Sequence, residues 1–441
     1  MKRKGVLILL ILVSLTYISN GAGIIYVDVN GPNDPGSGSF SDPFRRIQEA
    51  INTTSNGDIV EIREGIYTGQ GNYNLDTKGK NITIRSTDPE DANVVTNTII
   101  DPSKAGRGFY FHSDEDANCV VSGLTLRNAQ TLGYGGGIYC DGSSPTIVNC
   151  TITNSSAQLG GALYCYDSNS KFESCTISNN YSTSDGAGLE CWWGNPELIN
   201  CIISNNQAGG NGGGIDCWMN GNPIITNCTI VANHAFSGGG IYCDNSELIS
   251  KSSILWANNS NMGKQLTLVS NSTASISYCD VQDGEEGVHT GAGCTLIWDS
   301  NSNINTDPCF ASFYPNSDPN MWDFHLQSAY GRWDPNSEIW VTDSNTSLCI
   351  DAGDPNSDWA AEPWPNGKRI NMGAYGGTNQ ASMNGNPGDF NIDGEVNFED
   401  FCELAGKWGY EGSLIENLNN NGTVDFADLR IFAENWLWYQ E

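Results

Sequence analysis

The sequence predicts an all-β chain wound as a parallel β-helix, followed by a small α-helical module. Three observations lead there. A glycine-rich hexapeptide ending in cysteine returns every 25 or 26 residues. A second cysteine column runs in phase with it, flanked by apolar residues at fixed offsets. After residue 387 the composition changes to short runs of Asp and Asn that lead into helical patterns.

The repeat sets the fold class. GGGIYC ends at Cys140, GGALYC at Cys165, GAGLEC at Cys191, GGGIDC at Cys217 and GGGIYC at Cys243. The second column reads Cys150, Cys175, Cys201, Cys228, Ser253 and Cys279, with Leu124 one repeat earlier. Ile147, Phe172, Leu198 and Ile225 precede it by three residues, and Ile152, Ile177, Ile203, Ile230 and Leu255 follow it by two. A third column, five residues after the second, holds Ser155, Asn180, Asn206, Asn233 and Asn258.

Each repeat then reads as two strands, such as 137–141 and 146–153, bounded by turn-forming Gly, Asn, Ser and Pro. One repeat cannot bury its apolar side alone, so neighbours must stack. Stacking at ~4.8 Å puts like residues over like and lets asparagines form ladders. A leucine-rich repeat has a similar period, but it needs L-x-x-L-x-L spacing and one strand per repeat. Alternation turns Ile138 and Cys140 inward and Tyr139 outward. Buried cysteine acts as a small hydrophobe, so ten of the 15 cysteines read as packed core thiols. Disulfides between coils are the alternative that the Cα spacing permits. Cys309 and Cys349 are a candidate disulfide pair nearer the C-terminus. No C-x-x-C or Cys/His cluster suggests zinc.

Composition and the N-terminus bound the function. The chain has 441 residues and a formal net charge of −31. Such a charge argues against nucleic-acid binding. Lys2, Arg3 and Lys4 precede an apolar run, followed by small and polar residues, the order of a secretory signal over residues 1–23. The run is shorter than the ~20 residues that span a bilayer. The expectation is a secreted or cell-surface protein, with no transmembrane anchor once the signal is cleaved.

On these motifs, residues 24–300 resemble the secreted right-handed parallel β-helix proteins of the pectate-lyase-like superfamily. IIYVDVNGPND from Ile24 and GDIVEIREGIYTG over 57–69 resemble the N-terminal cap and first coil of that group. Asp42 and Pro43 read as the N-cap and N1 of a capping helix through Ile51. SLCIDAGDP (347–355) and NGKRINMGAYGG (366–377) resemble the last part of such proteins, so 301–385 is assigned to terminal coils and a cap.

In residues 386–441, Asp389, Asn391, Asp393, Glu395, Asn397 and Asp400 follow an EF-hand-type loop, with Gly394 at the sixth position and Glu395 contributing its carbonyl. Asn417, Asn419, Asn421, Thr423, Asp425 and Asp428 repeat the pattern 28 residues later. Helical patterns follow at 401–408 and 429–436. The paired loops resemble a type I dockerin, a family that binds two calcium ions and docks onto cohesins. The second loop has fewer carboxylates, which implies weaker calcium binding. Phe398–Glu399 and Phe426–Ala427 stand where cellulosomal dockerins usually carry Ser/Thr for cohesin contact, which puts a cohesin-like partner in doubt.

Pectinases of this fold pair carboxylates with basic residues. Between residues 135 and 300 there is no arginine, the only lysines are Lys171, Lys251 and Lys264, and the only histidines are His234 and His289. What remains are two outward ladders beside the first cysteine column: Tyr139, Tyr164, Glu190, Asp216 and Tyr242, then Asp141, Tyr166, Trp192, Trp218 and Asp244, with Trp193 adjoining. Aromatic faces beside carboxylates suit polysaccharide. Tyr166, Trp192, Trp193, Trp218, Asp141 and Asp244 are the candidate substrate-binding residues, and Glu190 and Asp216 the candidate catalytic pair. One coil apart, that pair fits the ~5–5.5 Å of a retaining glycosidase. It also fits a shared calcium ion. The alternatives are sugar binding without catalysis and a solvated acidic face on a structural or adhesive stalk.

Overall fold

The computed structural model describes residues 22–436, apart from 316, 387, 392–394, 412–413, 415, 417 and 419–422. The signal assigned to 1–23 therefore falls almost wholly outside the described residues. The chain winds as a parallel β-helix. An eleven-stranded sheet runs from Ile24–Val27 to Thr295–Trp298, a nine-stranded sheet from Gly65–Tyr67 to Asp280–Val281, and an eight-stranded sheet from Phe109–Phe111 to Val288–Thr290. Like positions pair in register, as in Cys165↔Cys191 and Cys191↔Cys217.

The two-strand reading of the repeat needs correction. The run 146–153 is two strands, Thr146–Val148 in the first sheet and Thr151–Thr153 in the second. Asn149 between them sits at φ +52°, and Ser174, Asn200, Asn227 and Ser252 repeat that corner. Asparagine enters the left-handed region more easily than most residues, and with Gly123 and Tyr278 at the same corner in the outer coils the column has no uniform residue type to mark it in sequence.

The second cysteine column lines this corner. Cys175 donates its thiol to the Glu173 carbonyl at 3.3 Å and the Ile147 carbonyl at 3.4 Å. Cys201 and Cys228 repeat both contacts. Ser253 donates to Lys251 O at 2.8 Å. Serine can replace cysteine there because it makes the same contact to the carbonyl two residues before it, whereas Leu124 fills the place by packing alone. All 15 cysteines are free thiols, and both columns are buried.

The asparagine column forms the expected ladder. Asn206 Nδ2 donates to Asn233 Oδ1 at 3.0 Å and to Ile177 O at 2.9 Å. Its Oδ1 accepts from Asn180 N and Nδ2. Asn233 and Asn258 continue the pattern. Each side chain thus satisfies backbone groups where the coil turns inside the core.

Both ends differ from the sequence reading. The N-terminal helix spans Ile47–Thr53, not Pro43 to Ile51. Asp42 holds a turn before it, and Asn72 Oδ1 accepts from Ile47 N at 2.9 Å. Ile47, Ala50 and Ile51 are its buried residues. Within residues 301–385, Ile304 still pairs in parallel with Asp280, and the chain then leaves the coil pattern. It forms two antiparallel hairpins, Phe310–Ser312 with Asp323–Leu326 and Arg332–Asp334 with Ile339–Val341, and then a strap along the side of the solenoid. Phe310, Phe324, Cys349, Ile350 and Met372 pack on Val231 and Ile254. Asn200 and Asn227 donate to the strap at Gly376 O. The outward apolar residues of the second sheet need this cover.

The C-terminal module has helices at Phe398–Gly406 and Phe426–Glu434, each beginning three residues before the pattern read from sequence. Its core joins Phe390, Val396, Leu404, Val424 and Phe432, with Trp364 of the strap packed against it. Among the described residues no helix is long and apolar enough to cross a membrane.

Candidate functional site

The third sheet carries both outward ladders. Tyr139, Tyr164, Glu190, Asp216 and Tyr242 are in register across five coils, as are Asp141, Tyr166, Trp192, Trp218 and Asp244. The first ladder continues to Tyr110 on one side, and to Thr267 and His289 on the other. Extending the same column through less regular coils would have found these in sequence.

The solvated acidic face is overturned. Glu190 is 2% exposed, Asp216 3% and Tyr164 2%. The cause is the glycine-rich turn before each strand. Gly160, Gly186 and Gly212 adopt φ of +60° to +65°. A left-handed residue there folds the turn over the side chain four positions on. At Gly186 a Cβ would meet Glu190 Oε2, and at Gly212 it would meet Asp216 Cβ, both at 2.5 Å. Glycine alone leaves room.

Burial sets the electrostatics. Desolvation pushes the Glu190 carboxyl well above the usual range, against the Trp192 indole N–H that donates to Oε1, and Asp185 adds to the rise. Asp216 is raised by burial first, then by Glu190 and Asp185. Tyr164 is raised by burial and by Glu190. Glu190 Oε2 is buried and has no hydrogen-bond partner. Two neighbouring carboxyls that resist ionisation can share or transfer a proton.

Aromatic rings line the same face. Trp192 stands 4.3 Å from Trp218 and 6.3 Å from Tyr164 between ring centroids. Tyr134 stacks on Tyr164 at 4.9 Å, and Tyr110 on Tyr139 at 5.0 Å. Arg107 lies over Tyr110 and Tyr139. The pairing of Leu189–Gly194 with Ile215–Gly221 shifts register past Trp192. Trp193, at φ +47° and exposed, reaches Tyr166 at 5.4 Å. Of the predicted residues, Glu190, Asp216, Trp192 and Trp218 are brought together. Asp141 lies two coils from Glu190 and accepts from the Tyr110 hydroxyl at 3.4 Å. Asp244 lies one coil beyond Asp216.

In the C-terminal module the ninth and twelfth loop positions have helix roles. Asn397 and Asp425 are the N-caps, and Asp400 and Asp428 complete capping boxes. Asp400, fully buried, accepts from Phe390 N at 2.8 Å, Asn391 N at 3.2 Å and Asn397 N at 2.9 Å. Asp389 is buried, and Glu395 and Thr423 lie along the two loops. Asp393, Asn417, Asn419 and Asn421 lie outside the described residues. Asp389, Asn391, Glu395, Asn397 and Asp400 carry side-chain oxygens, the donor type that calcium takes, and among the described residues no three acidic, His or Cys side chains converge as a metal site.

A model described as the right handed beta helix region matches residues 136–310, and one described as disaggregatase related matches 285–353. Pectate lyase Pel9A is similar in structure at 16% identity and a TM-score of 0.46, covering 82% of this chain and 96% of that one. A rhamnogalacturonan lyase is similar at 13% identity and a TM-score of 0.33, over 68% of this chain and 94% of that one. The ORF18 protein of Geobacillus virus E2 follows at 12% identity and 0.34, over 64% and 60%. At these identities the likeness is one of fold alone. No curated protein matches the chain in sequence.

Proposed function

We propose that this is a secreted or cell-surface polysaccharide-binding protein, with the glycan lying along the third sheet. The observation that carries this reading is the buried Glu190–Asp216 pair set among Tyr164, Trp192 and Trp218. Rings stack on sugar faces while carboxyls take sugar hydroxyls. Successive coils offer successive positions at ~4.8 Å, so the face repeats along its length as a polymer does. The lyase neighbours act on polysaccharides by name, which agrees with this reading.

The C-terminal module is proposed to bind calcium and to attach the β-helix to a surface partner. Asp389, Asn391, Glu395 and Asp400 would hold an ion in the first loop, with Asp393. Calcium there would offset the carboxylates and stiffen the loop against its helix. A partner docking at the starts of the two helices would meet the exposed Phe398 and Phe426.

A second reading, glycoside cleavage, is favoured by the in-register carboxyls with raised pKa. One would serve as general acid and the other as nucleophile. A glycan array combined with reducing-end and unsaturated-product assays tests both. Binding to a defined glycan class, reduced by Trp192→Ala and Trp218→Ala, supports the first reading. Reducing ends that vanish in Glu190→Gln/Asp216→Asn support the second. No binding and no product would remove both.

A further inference from the structure

We propose that the Glu190–Asp216 pair recognises the free amine of an amino-sugar polysaccharide. This rests on the polysaccharide-binding reading and names the class of glycan.

Glu190 leaves one carboxyl oxygen, Oε2, buried without a hydrogen-bond partner. Asp216 lies beside it in register, and both side chains are almost wholly enclosed. Buried charges are normally paired. Among the described residues no cation supplies the pairing. Lys171 is engaged with Glu173 at 2.7 Å, on the first sheet. Lys251, also on the first sheet, lies 3.5 Å from Asp354 of the strap. Lys264 lies with His289 in a groove at the far end of the third sheet. Arg107 is three coils from Glu190, over tyrosine rings, and donates to Tyr134 O. The groups that bear on the pair are Asp185, Asp244, Tyr164, Tyr242, Cys191, Cys217 and Cys243, all acidic or neutral.

A sugar ammonium supplies what is missing. It brings one positive charge and three donors, enough for both carboxyls. Trp192, Trp218 and Tyr164 line the same face beside the pair. A hydroxyl brings a single donor and no charge. A uronate would set a third negative charge against the pair. Entry requires Trp192, half-buried, to release its one hydrogen bond to Glu190.

Binding a cation favours the ionised carboxyls, so binding must release protons. Affinity then rises with pH while the amine stays protonated. The test is calorimetry on the full chain with three oligosaccharides: β-1,4-glucosamine, its fully N-acetylated form, and a polygalacturonate. The glucosamine oligomer is expected to bind at least about tenfold more tightly than the acetylated one. Its affinity should rise between about pH 5 and 6.5, with heats that differ between buffers of different ionisation enthalpy. Asp216→Asn and Glu190→Gln/Asp216→Asn should each remove the preference. Equal or tighter binding of the acetylated or uronate oligomer overturns amine recognition and leaves the polysaccharide reading standing. Full amine preference in both variants also overturns it, since attraction to net charge alone would give that result. Binding of no glycan, on the array or in calorimetry, removes the polysaccharide reading itself.

Discussion

Asn206→Ala interrupts the asparagine ladder at its middle, and the loss can be worked from the structure. The substitution removes the bonds from Nδ2 to Ile177 O at 2.9 Å and to Asn233 Oδ1 at 3.0 Å. It also removes those accepted from Asn180 N at 3.0 Å and Asn180 Nδ2 at 2.9 Å. Three of the four partners keep another bond: Asn180 Nδ2 still meets Ile152 O, Asn233 Oδ1 still accepts from the backbone of residue 206, and Ile177 O stays within the parallel pairing of Thr176–Ser178 with Ile202–Ser204. Asn180 N loses the ladder bond without such a substitute. Leaving a buried polar group unpaired costs about 1–3 kcal/mol, and the cavity left by the amide adds to it. The neighbouring Asn205→Ala is the control. It stands in a left-handed column where Ala232 and Ala257 already occur at φ +57° and +53°, and its side chain is only part-buried. It should cost about 1 kcal/mol, the usual penalty of that conformation. Urea unfolding followed by circular dichroism reads both, and hydrogen exchange locates the weakened coils. A loss at Asn206 no larger than at Asn205 would refute the view that ladder hydrogen bonds hold the coil corners.

Gly186→Ala should lower the melting temperature and weaken glycan binding, because the new Cβ must displace Glu190 Oε2 from a turn at φ +60°; unchanged binding would show that the turn does not hold the site. Asp280, buried and hydrogen-bonded to the Cys349 thiol, has its pKa raised to about 7 by desolvation. Its folded pKa exceeds its unfolded value, so its contribution is full below about pH 4 and is lost as pH rises through about 7. Over roughly 3 units this is about 4 kcal/mol as an order of magnitude. Glu362, also raised to about 7, acts in the same window, so the difference between wild type and Asp280→Asn is the quantity to measure. A difference that does not move in the variant's favour from pH 4 to pH 8 would refute the assignment. Chelation by EDTA should expose the C-terminal module of the full chain to protease and lower its melting transition. Cleavage that ignores calcium would remove the metal from the proposal.

The fold was legible because its physics repeats. A residue type that must recur every coil writes a column, and columns of Cys, Asn and Ile survive inspection without a structure. The corner at Asn149 was missed because a single left-handed residue interrupts neither apolar alternation nor β-propensity, so two strands read as one. The strap was missed for the opposite reason. Cys349 meets the coils at Asp280, 69 positions away, and Gly376 meets them at Asn227, 149 positions away; no periodicity announces such contacts.

The site divides in the same way. Register is a property of the repeat, so the neighbourhood of Glu190 and Asp216 could be inferred from spacing alone. Burial is not, because it depends on where the turn before the strand folds. GAGLEC and GGGIDC were visible as glycine-rich, yet only the positive φ of Gly186 and Gly212 shows that each turn closes over the carboxyl four residues later. That closure changes the chemistry. On an open face these carboxyls would be solvated anions needing no explanation. Under the turn they are desolvated, adjacent and raised in pKa, with one oxygen left unpaired. A chain with no arginine and three lysines between residues 135 and 300 has little with which to pair them. The shortage of basic residues that set the chain apart from pectinases therefore also specifies the counter-charge that a ligand would have to bring.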